Sequence, residues 1–348
     1  MTGDPDVQTV RKLGEQQILQ LLQGFCPAEV IGDDAAVLSP TPGRSLVVTS
    51  DVLVDGVHFS DRTTSPEDAG WRAVAANLSD LAAMGASPLG ITVGLGLPGE
   101  LPVTWVDRLY QGMTACLQPY RTSIVGGDVV RSPTITIAIT AFGEVEGDRV
   151  IRRSTARVGD AIVATGEHGS SRAGLELLLH PEQETPLMAA ERADLIRTHQ
   201  RPIPRLDVLP LLNSLSPLPI PITGMDSSDG LADAIVQICR ASGMGARVER
   251  QRIPIAPPLI AWVGPEKALE WALYGGEDFE LVLCLPPETA LSLVKQSGKG
   301  AAIVGTITAE SQIWLVDQEG NYPDMPLTLE QGFQHFADEA IAINANSH

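Results

Sequence analysis

A two-domain α/β protein is what this sequence predicts, and three observations predict it. Its 348 residues are enough for two separate cores. Strand-like apolar runs alternate with helix-like amphipathic stretches in both halves. Near the middle, a polar passage at 146–160 carries Arg149, Arg152, Arg153 and Arg157, and it sets a boundary between domains 1–148 and 149–348.

Taken in order, 13–22 reads as a short amphipathic helix. Gly32-Asp33-Asp34 is a tight turn entering a strand, and 46–54 is a strand with the polar Thr49-Ser50-Asp51 in its middle. Ser65-Pro66-Glu67-Asp68 starts a helix, with Ser65 as N-cap and acids in the first turn, and Gly85 ends it after Met84. Asn77 and Asp80 share a face of that alanine-rich helix. A strand at 91–97, a helix at 103–117 containing Tyr110, a strand at 123–125 ending in Gly126-Gly127-Asp128, and a long strand at 135–145 follow. Beyond the boundary come a strand at 161–165, a glycine and serine loop at 166–171, a helix at 172–179, and a proline-punctuated segment at 181–221 that is helical in parts. A helix at 231–241, strands at 280–285 and 302–307 and a helix between them complete the second half.

Composition narrows the function. Hydrophobic content of 44% with 19% charged residues is that of a folded chain. With 24 basic against 43 acidic residues, the net charge of −19 argues against a nucleic-acid partner. The four cysteines, Cys26, Cys116, Cys239 and Cys284, are far apart and suggest neither a zinc site nor a disulfide framework. The first six residues lack the marks of a signal peptide, and every apolar run falls short of the roughly 18 residues of a membrane span. A cytoplasmic protein with no membrane partner is expected.

The candidate chemistry lies in acids that recur at strand ends beside Gly or Ser. They are Asp33-Asp34, Asp51, Asp128, the set Asp226-Ser227-Ser228-Asp229-Gly230, and Glu277-Asp278 after Gly275-Gly276. Singly, each is an ordinary turn or cap, and Asp229 is read first as a helix N-cap. Together they suggest one site, where carboxylates are tolerated only with cations among them or with some protonated. Magnesium, which takes hard oxygens and substrate phosphates, is the natural cation. Arg153 reads as a solvated linker charge or as a phosphate contact, and the 166–171 loop as a connector or a phosphate cradle. Gly94-Leu95-Gly96-Leu97-Pro98-Gly99 satisfies a dinucleotide pattern, but two of its glycines fall inside a strand and Pro98 removes a donor. No P-loop, protein-kinase set or nucleophile elbow is present.

The ordered set of motifs resembles the thiamine-monophosphate kinase family, in the superfamily of aminoimidazole ribonucleotide synthetase and selenophosphate synthetase. It comprises Gly32-Asp33-Asp34-Ala35-Ala36, Thr49-Ser50-Asp51 through Gly56-Val57-His58-Phe59, Asn77-Leu78-Ser79-Asp80, Gly126-Gly127-Asp128, Asp226-Ser227-Ser228-Asp229-Gly230-Leu231, Gly275-Gly276-Glu277-Asp278-Phe279-Glu280-Leu281 and Gly332-Phe333-Gln334-His335-Phe336. The resemblance implies an aminoimidazole ribonucleotide synthetase-like fold, with an N-terminal domain that dimerises with its copy and a C-terminal α/β domain that completes the cleft. It implies transfer of the γ-phosphoryl of ATP to thiamine monophosphate, the last step of thiamine diphosphate biosynthesis, with several magnesium ions. Asp34, Thr49, Ser50, Asp51, Asp80, Asp128, Asp226 and Asp229 match the family's metal positions. Tyr110, Gly127, Asp128, Arg153 and Ser228 match nucleotide contacts, and His58, Glu277 and Phe333 match contacts to the thiamine substrate. Two departures stand out: Val129 replaces a common threonine, and Phe333 lacks the polar handle of Trp or Tyr. The rival expectations are a superfamily member with another acceptor, a non-enzymatic cation-binding protein and, third, a dinucleotide oxidoreductase.

Overall fold

The computed structural model describes residues 7–31, 33–215, 222–298 and 300–329. The chain divides into two units. One holds Met1–Val150 with Leu178–Pro181 and Gln200–Leu209, and the other holds Ile151–Leu177, Glu182–His199 and Pro210–His348. The sequence expects a single cut and misses the two excursions back to the first unit. Contacts far apart in sequence make the second of them. Arg201 pairs with Asp68 at 2.6 Å, Trp71 Nε1 donates to the Pro202 carbonyl at 2.7 Å, and the Tyr120 hydroxyl donates to the Pro204 carbonyl at 3.2 Å.

In the first unit the elements are α1 (Val10–Leu13), α2 (Glu15–Gln23), β1 (Arg44–Val54), α3 (Pro66–Ala83), β2 (Ser87–Leu97), α4 (Val103–Leu117), β3 (Ile124–Arg131) and β4 (Thr136–Glu146). Among the described residues they form a four-stranded sheet of order β1-β4-β2-β3, antiparallel except for β2 with β3. The helix expected at 13–22 is two pieces, because Gly14 at φ 82° interrupts it. Helix α3 begins as expected, with Ser65 Oγ accepting from the Asp68 amide at 3.2 Å and Pro66 in the first turn. It packs backbone to backbone on α4, where a Cβ at Gly112 would stand 1.9 Å from the Glu67 carbonyl oxygen.

Two sequence expectations fail in this unit. Residues 35–39 form no strand after the acidic turn, and Val37 is 86% exposed. Strand β3 does not end at Gly126-Gly127-Asp128 but runs through it, pairing Gly127 with Val93 and Asp128 with Gly94.

In the second unit the elements are β5 (Ala161–Ala164), α5 (Ser170–Leu179), α6 (Ala189–Gln200), α7 (Val208–Leu215), β6 (Thr223–Asp226), α8 (Leu231–Ser242), β7 (Gly245–Glu249), α9 (Pro257–Val263), α10 (Pro265–Tyr274), β8 (Leu281–Leu285), α11 (Pro287–Ser297), β9 (Ala302–Thr308), β10 (Ile313–Val316) and β11 (Met325–Pro326), with the ends of α5, α6 and α7 running into the excursions. The described strands form a seven-stranded sheet of order β11-β10-β7-β9-β5-β8-β6. Strands β5 and β8 are buried along their whole length, which explains their unbroken apolar sequences. Ile235, Ile238 and Cys239 of α8 pack into the same core as Val282 and Val304. Strand β7, Gly-Ala-Arg-Val-Glu, escapes the sequence reading because its strand character is supplied by its neighbours β9 and β10. Among the described residues no helix is long and apolar enough to cross a membrane, and all four cysteines are free thiols.

Candidate active site

Strand β1 displays its residues alternately. Thr49 and Asp51 turn toward α3, where Thr49 Oγ1 donates to Asp80 Oδ2 and the Asp51 amide donates to Asn77 Oδ1 at 3.2 Å. Asn77 is itself fixed by donating through Nδ2 to the Ala73 carbonyl at 2.9 Å. The spacing of Asn77 and Asp80 on one helix face thus meets the spacing of Thr49 and Asp51 on one strand face. Ser50 lies on the opposite face, donating to the Ile139 carbonyl at 2.9 Å, and its side chain does not join the other two.

A second group surrounds a cavity of about 160 Å³ between α2, α4, β3 and the acidic turn. Asp34, Tyr110, Gly127 and Asp128 all line it, with Leu22 and Cys26 on its apolar side. Gly127 is required by backbone approach, since a Cβ there would stand 2.1 Å from the Val93 carbonyl oxygen. Asp128 and Asp34 are exposed at this cavity, while Tyr110 is buried and its phenol is pushed up by that burial. The Tyr110 ring stands 5.4 Å from that of Phe25. Gly32, the first residue of the acidic turn, lies outside the described residues. The dinucleotide reading of 94–99 fails on geometry, because Gly94 and Gly96 are inside β2 and form no loop.

His58 occupies the turn after β1. Its Nδ1 accepts from the Val54 amide at 3.0 Å, so the neutral ring carries its proton on Nε2. The same Gly56-Val57-His58 turn is pinned by Arg72, whose Nη2 donates to the His58 carbonyl at 3.2 Å.

In the second unit the Asp226–Gly230 and Gly275–Glu280 motifs are joined directly. The Glu277 amide donates to the Ser228 carbonyl at 2.7 Å, and the Ser227 amide to the Glu280 carbonyl at 2.8 Å. Asp226 ends β6 and is buried, whereas Asp229 is exposed. Asp229 is not the helix cap expected from its position, since Gly230 at φ 105° takes the N-cap of α8 without a side-chain bond. Ser228 is half-buried between them. Arg153 is exposed and donates to Gln237 Oε1 at 2.9 Å, which orients the guanidinium along α8.

His168, to which the motif analysis assigns no role, and Asp278 of the last acidic motif hold these loops. His168 is fully buried; its Nδ1 bonds the Gly166 carbonyl at 3.0 Å and its Nε2 the Ser227 hydroxyl at 3.0 Å. A carbonyl only accepts, so the proton is on Nδ1 and Ser227 donates to Nε2. Burial pushes the His168 pKa down to about 4, which keeps the ring neutral. Asp278 accepts from the Gly169 amide at 2.7 Å and the Ser171 amide at 2.9 Å. Burial nevertheless raises its pKa to about 7, helped by Glu280 and Glu277 and opposed by those two amides. The 166–171 loop therefore spends these amides on an internal carboxyl and acts as a connector. No local pattern announces these partners, since Asp278 and Ser171 are more than a hundred residues apart.

Phe333 and the rest of 332–336 lie outside the described residues. Among the described residues, no group of three or more His, Cys, Asp and Glu side chains is gathered to hold a metal ion. The oxygens come instead in twos, Asp34 with Asp128 at the cavity and Thr49 with Asp80 behind β1. That donor set fits magnesium, which ordinarily takes one or two carboxylates and completes its shell with phosphate oxygens and water.

Comparison with known proteins places these features in a lineage. Residues 32–145 match the AIR synthase related protein N-terminal domain and residues 157–317 its C-terminal domain. A thiamine-monophosphate kinase of Synechococcus elongatus is 51% identical over 94% of this chain and 98% of the relative. The crystal structure of a thiamine-monophosphate kinase from Stenotrophomonas maltophilia superposes with a TM-score of 0.74 at 31% identity, covering 86% of this chain and 94% of that one. A solved structure described as "AaThiL complexed with AMPPCP and TMP" gives a TM-score of 0.69 at 30% identity, over 92% of this chain and 99% of that one. The two units have the AIR synthase-like fold.

Proposed function

The chain belongs to the thiamine-monophosphate kinase family, and from that premise we propose that it transfers the γ-phosphoryl group of ATP to thiamine monophosphate, releasing ADP and thiamine diphosphate. The observation that carries the reading is the cavity of the first unit, which brings Asp34, Tyr110, Gly127 and Asp128 together from three separate stretches of the chain. A related structure holds AMPPCP, an ATP analogue, together with TMP.

Phosphoryl transfer rests on positioning and on neutralising charge around an in-line, loose transition state. Asp34, Thr49, Asp51, Asp80 and Asp128 of the first unit, and Asp226 and Asp229 of the second, would hold magnesium, with Ser50 contributing through something other than its side chain on the far face. When bound, magnesium would neutralise phosphate charge. Tyr110, Gly127 and Asp128 receive the nucleotide, and Arg153 and Ser228 contact it. His58, Glu277 and Phe333 receive the thiamine substrate. The acceptor is a phosphate whose second pKa of about 6 leaves it largely ionised at neutral pH, so the reaction needs no general base. One oxygen of thiamine monophosphate attacks the γ-phosphorus, the bond to the ADP oxygen breaks, and no phosphoenzyme forms.

The first unit pairs with a second copy through the sheet face that carries Ser50. Leu46, Val48 and Val52 of β1 and Val130 of β3 are each 47–54% exposed, the signature of an apolar face awaiting cover. The free thiols favour a cytoplasmic setting.

The test is ADP release by purified protein with ATP and magnesium, measured with thiamine monophosphate, with thiamine and with no acceptor. Release that depends on thiamine monophosphate, with equal thiamine diphosphate, is expected. Release with another acceptor alone, or none from folded protein, would overturn the reading.

A further inference from the structure

Glu277 stands in costly backbone. Its φ is 59° and that of Phe279 is 52°, left-handed values that non-glycine residues adopt only when their surroundings impose them. The Glu277 amide is held by the Ser228 carbonyl and the neighbouring Asp278 carboxyl by the start of α5, so the backbone is fixed on both sides. The Glu277 side chain is 35% exposed, and one of its partners reaches it from the interior.

That partner is His199, the penultimate residue of α6, whose side chain is 3% exposed. Its Nδ1 lies 3.7 Å from Glu277 Oε2 and 3.1 Å from Ser171 Oγ. Helix α6 can bring it there because α5 offers no side chain at the crossing. A Cβ at Gly174 would stand 2.1 Å from the Leu195 carbonyl oxygen and 2.9 Å from His199 Cβ. Ser171, which takes the other side of Nδ1, is the residue whose amide holds Asp278. One buried imidazole thus touches the Glu277 carboxylate and a hydroxyl of the element that fixes the adjacent residue.

We propose that His199 is a positioning residue for the acceptor: its Nδ1 aims the carboxylate of Glu277 outward at the thiamine substrate, and so sets acceptor affinity without touching substrate. This rests on Glu277 being a contact to thiamine monophosphate. A partly exposed carboxylate braced by a buried ring loses less freedom on binding than a loose one.

Two near-isosteres separate positioning from packing. His199→Asn puts an amide nitrogen where Nδ1 stands, whereas His199→Gln puts it where Nε2 stands. Steady-state kinetics of both, with His199→Ala, Glu277→Gln and the double variant His199→Ala/Glu277→Gln, form the experiment. The KM for thiamine monophosphate should rise about tenfold in the Gln and Ala variants and stay within about threefold in the Asn variant. The KM for ATP and kcat should stay within about threefold in the three single His199 variants, and the KM for thiamine monophosphate of the double variant should be no higher than that of Glu277→Gln. Equal behaviour of Asn and Gln, a parallel rise in both KM values, or additive losses in the double variant would overturn the proposal while leaving Glu277 as a contact. An unchanged KM for thiamine monophosphate in Glu277→Gln would overturn that contact, and the proposal with it. Should His199→Ala not fold, the Asn and Gln pair decides alone.

Discussion

Asp34 and Asp128 of the first unit and Asp278 of the second live in opposite circumstances. In the first unit, Asp34 and Asp128 are exposed around a cavity. In the second, Asp226 and Asp278 are buried, and Asp278, like the backbone of the two acidic motifs, is bound to neighbours far away in sequence. The difference separates two uses of a carboxylate. Exposed acids at a cavity are within reach of a cation brought from solution, whereas a buried acid holding two amides is a device for fixing loops. Motif analysis weighs both kinds alike because both appear as acids beside small residues.

Predictions that break this contrast follow in order of size. Asp128→Asn removes charge without volume at the cavity, and ADP release should fall roughly 100-fold or more while the melting temperature stays put. Retained turnover would mean that the exposed acids are not the cation-binding ones. Asp278→Ala should do the reverse, with a stability loss on the order of 3 kcal/mol in denaturant titration, because two buried amides lose their acceptor. A stable variant would show that water replaces the carboxyl.

His168 sharpens the contrast through pH. Its folded pKa, near 4, lies below the ordinary 6.5, so the unfolded chain binds the proton more readily. Its contribution to stability is complete above pH 6.5 and is lost as pH falls toward 4. At a pH one unit below the ordinary value, wild type should have lost on the order of 1 kcal/mol that His168→Gln does not lose. Parallel stability profiles of the two proteins between those pH values would refute the buried neutral ring. Asp229→Ala should have the smallest effect on stability, within about 0.5 kcal/mol, because Gly230 and not Asp229 caps α8. A loss near 1 kcal/mol, the ordinary cost of a missing cap, would restore the capping role.

Much of the architecture was legible in the chain. Apolar period and punctuation located α3, α4, β1, β2, β4, β5, α8 and β8 closely, because Ser65-Pro66 and the buried runs of β5 and β8 carry their reasons locally. The acids of the candidate site were legible too, as a series of short motifs in order. Tertiary structure decided the rest. That β3 continues through Gly127 depends on Val93 lying against it; that Thr49 and Asp51 face α3 while Ser50 faces away depends on the pairing with β4. Strand β7 and the excursion at 200–209 exist because of neighbours contributed by distant residues. His199 had no signal at all, and for His168, Ser171 and Asp278 the loop and the acidic motif that contain them were legible but not their partners, since a buried hydrogen bond between residues up to more than a hundred positions apart leaves no period, spacing or composition in the sequence. Local sequence determines which residues can turn, cap or alternate; only the folded chain decides which polar atoms meet, because each must find its partner where the packing of other elements brings it.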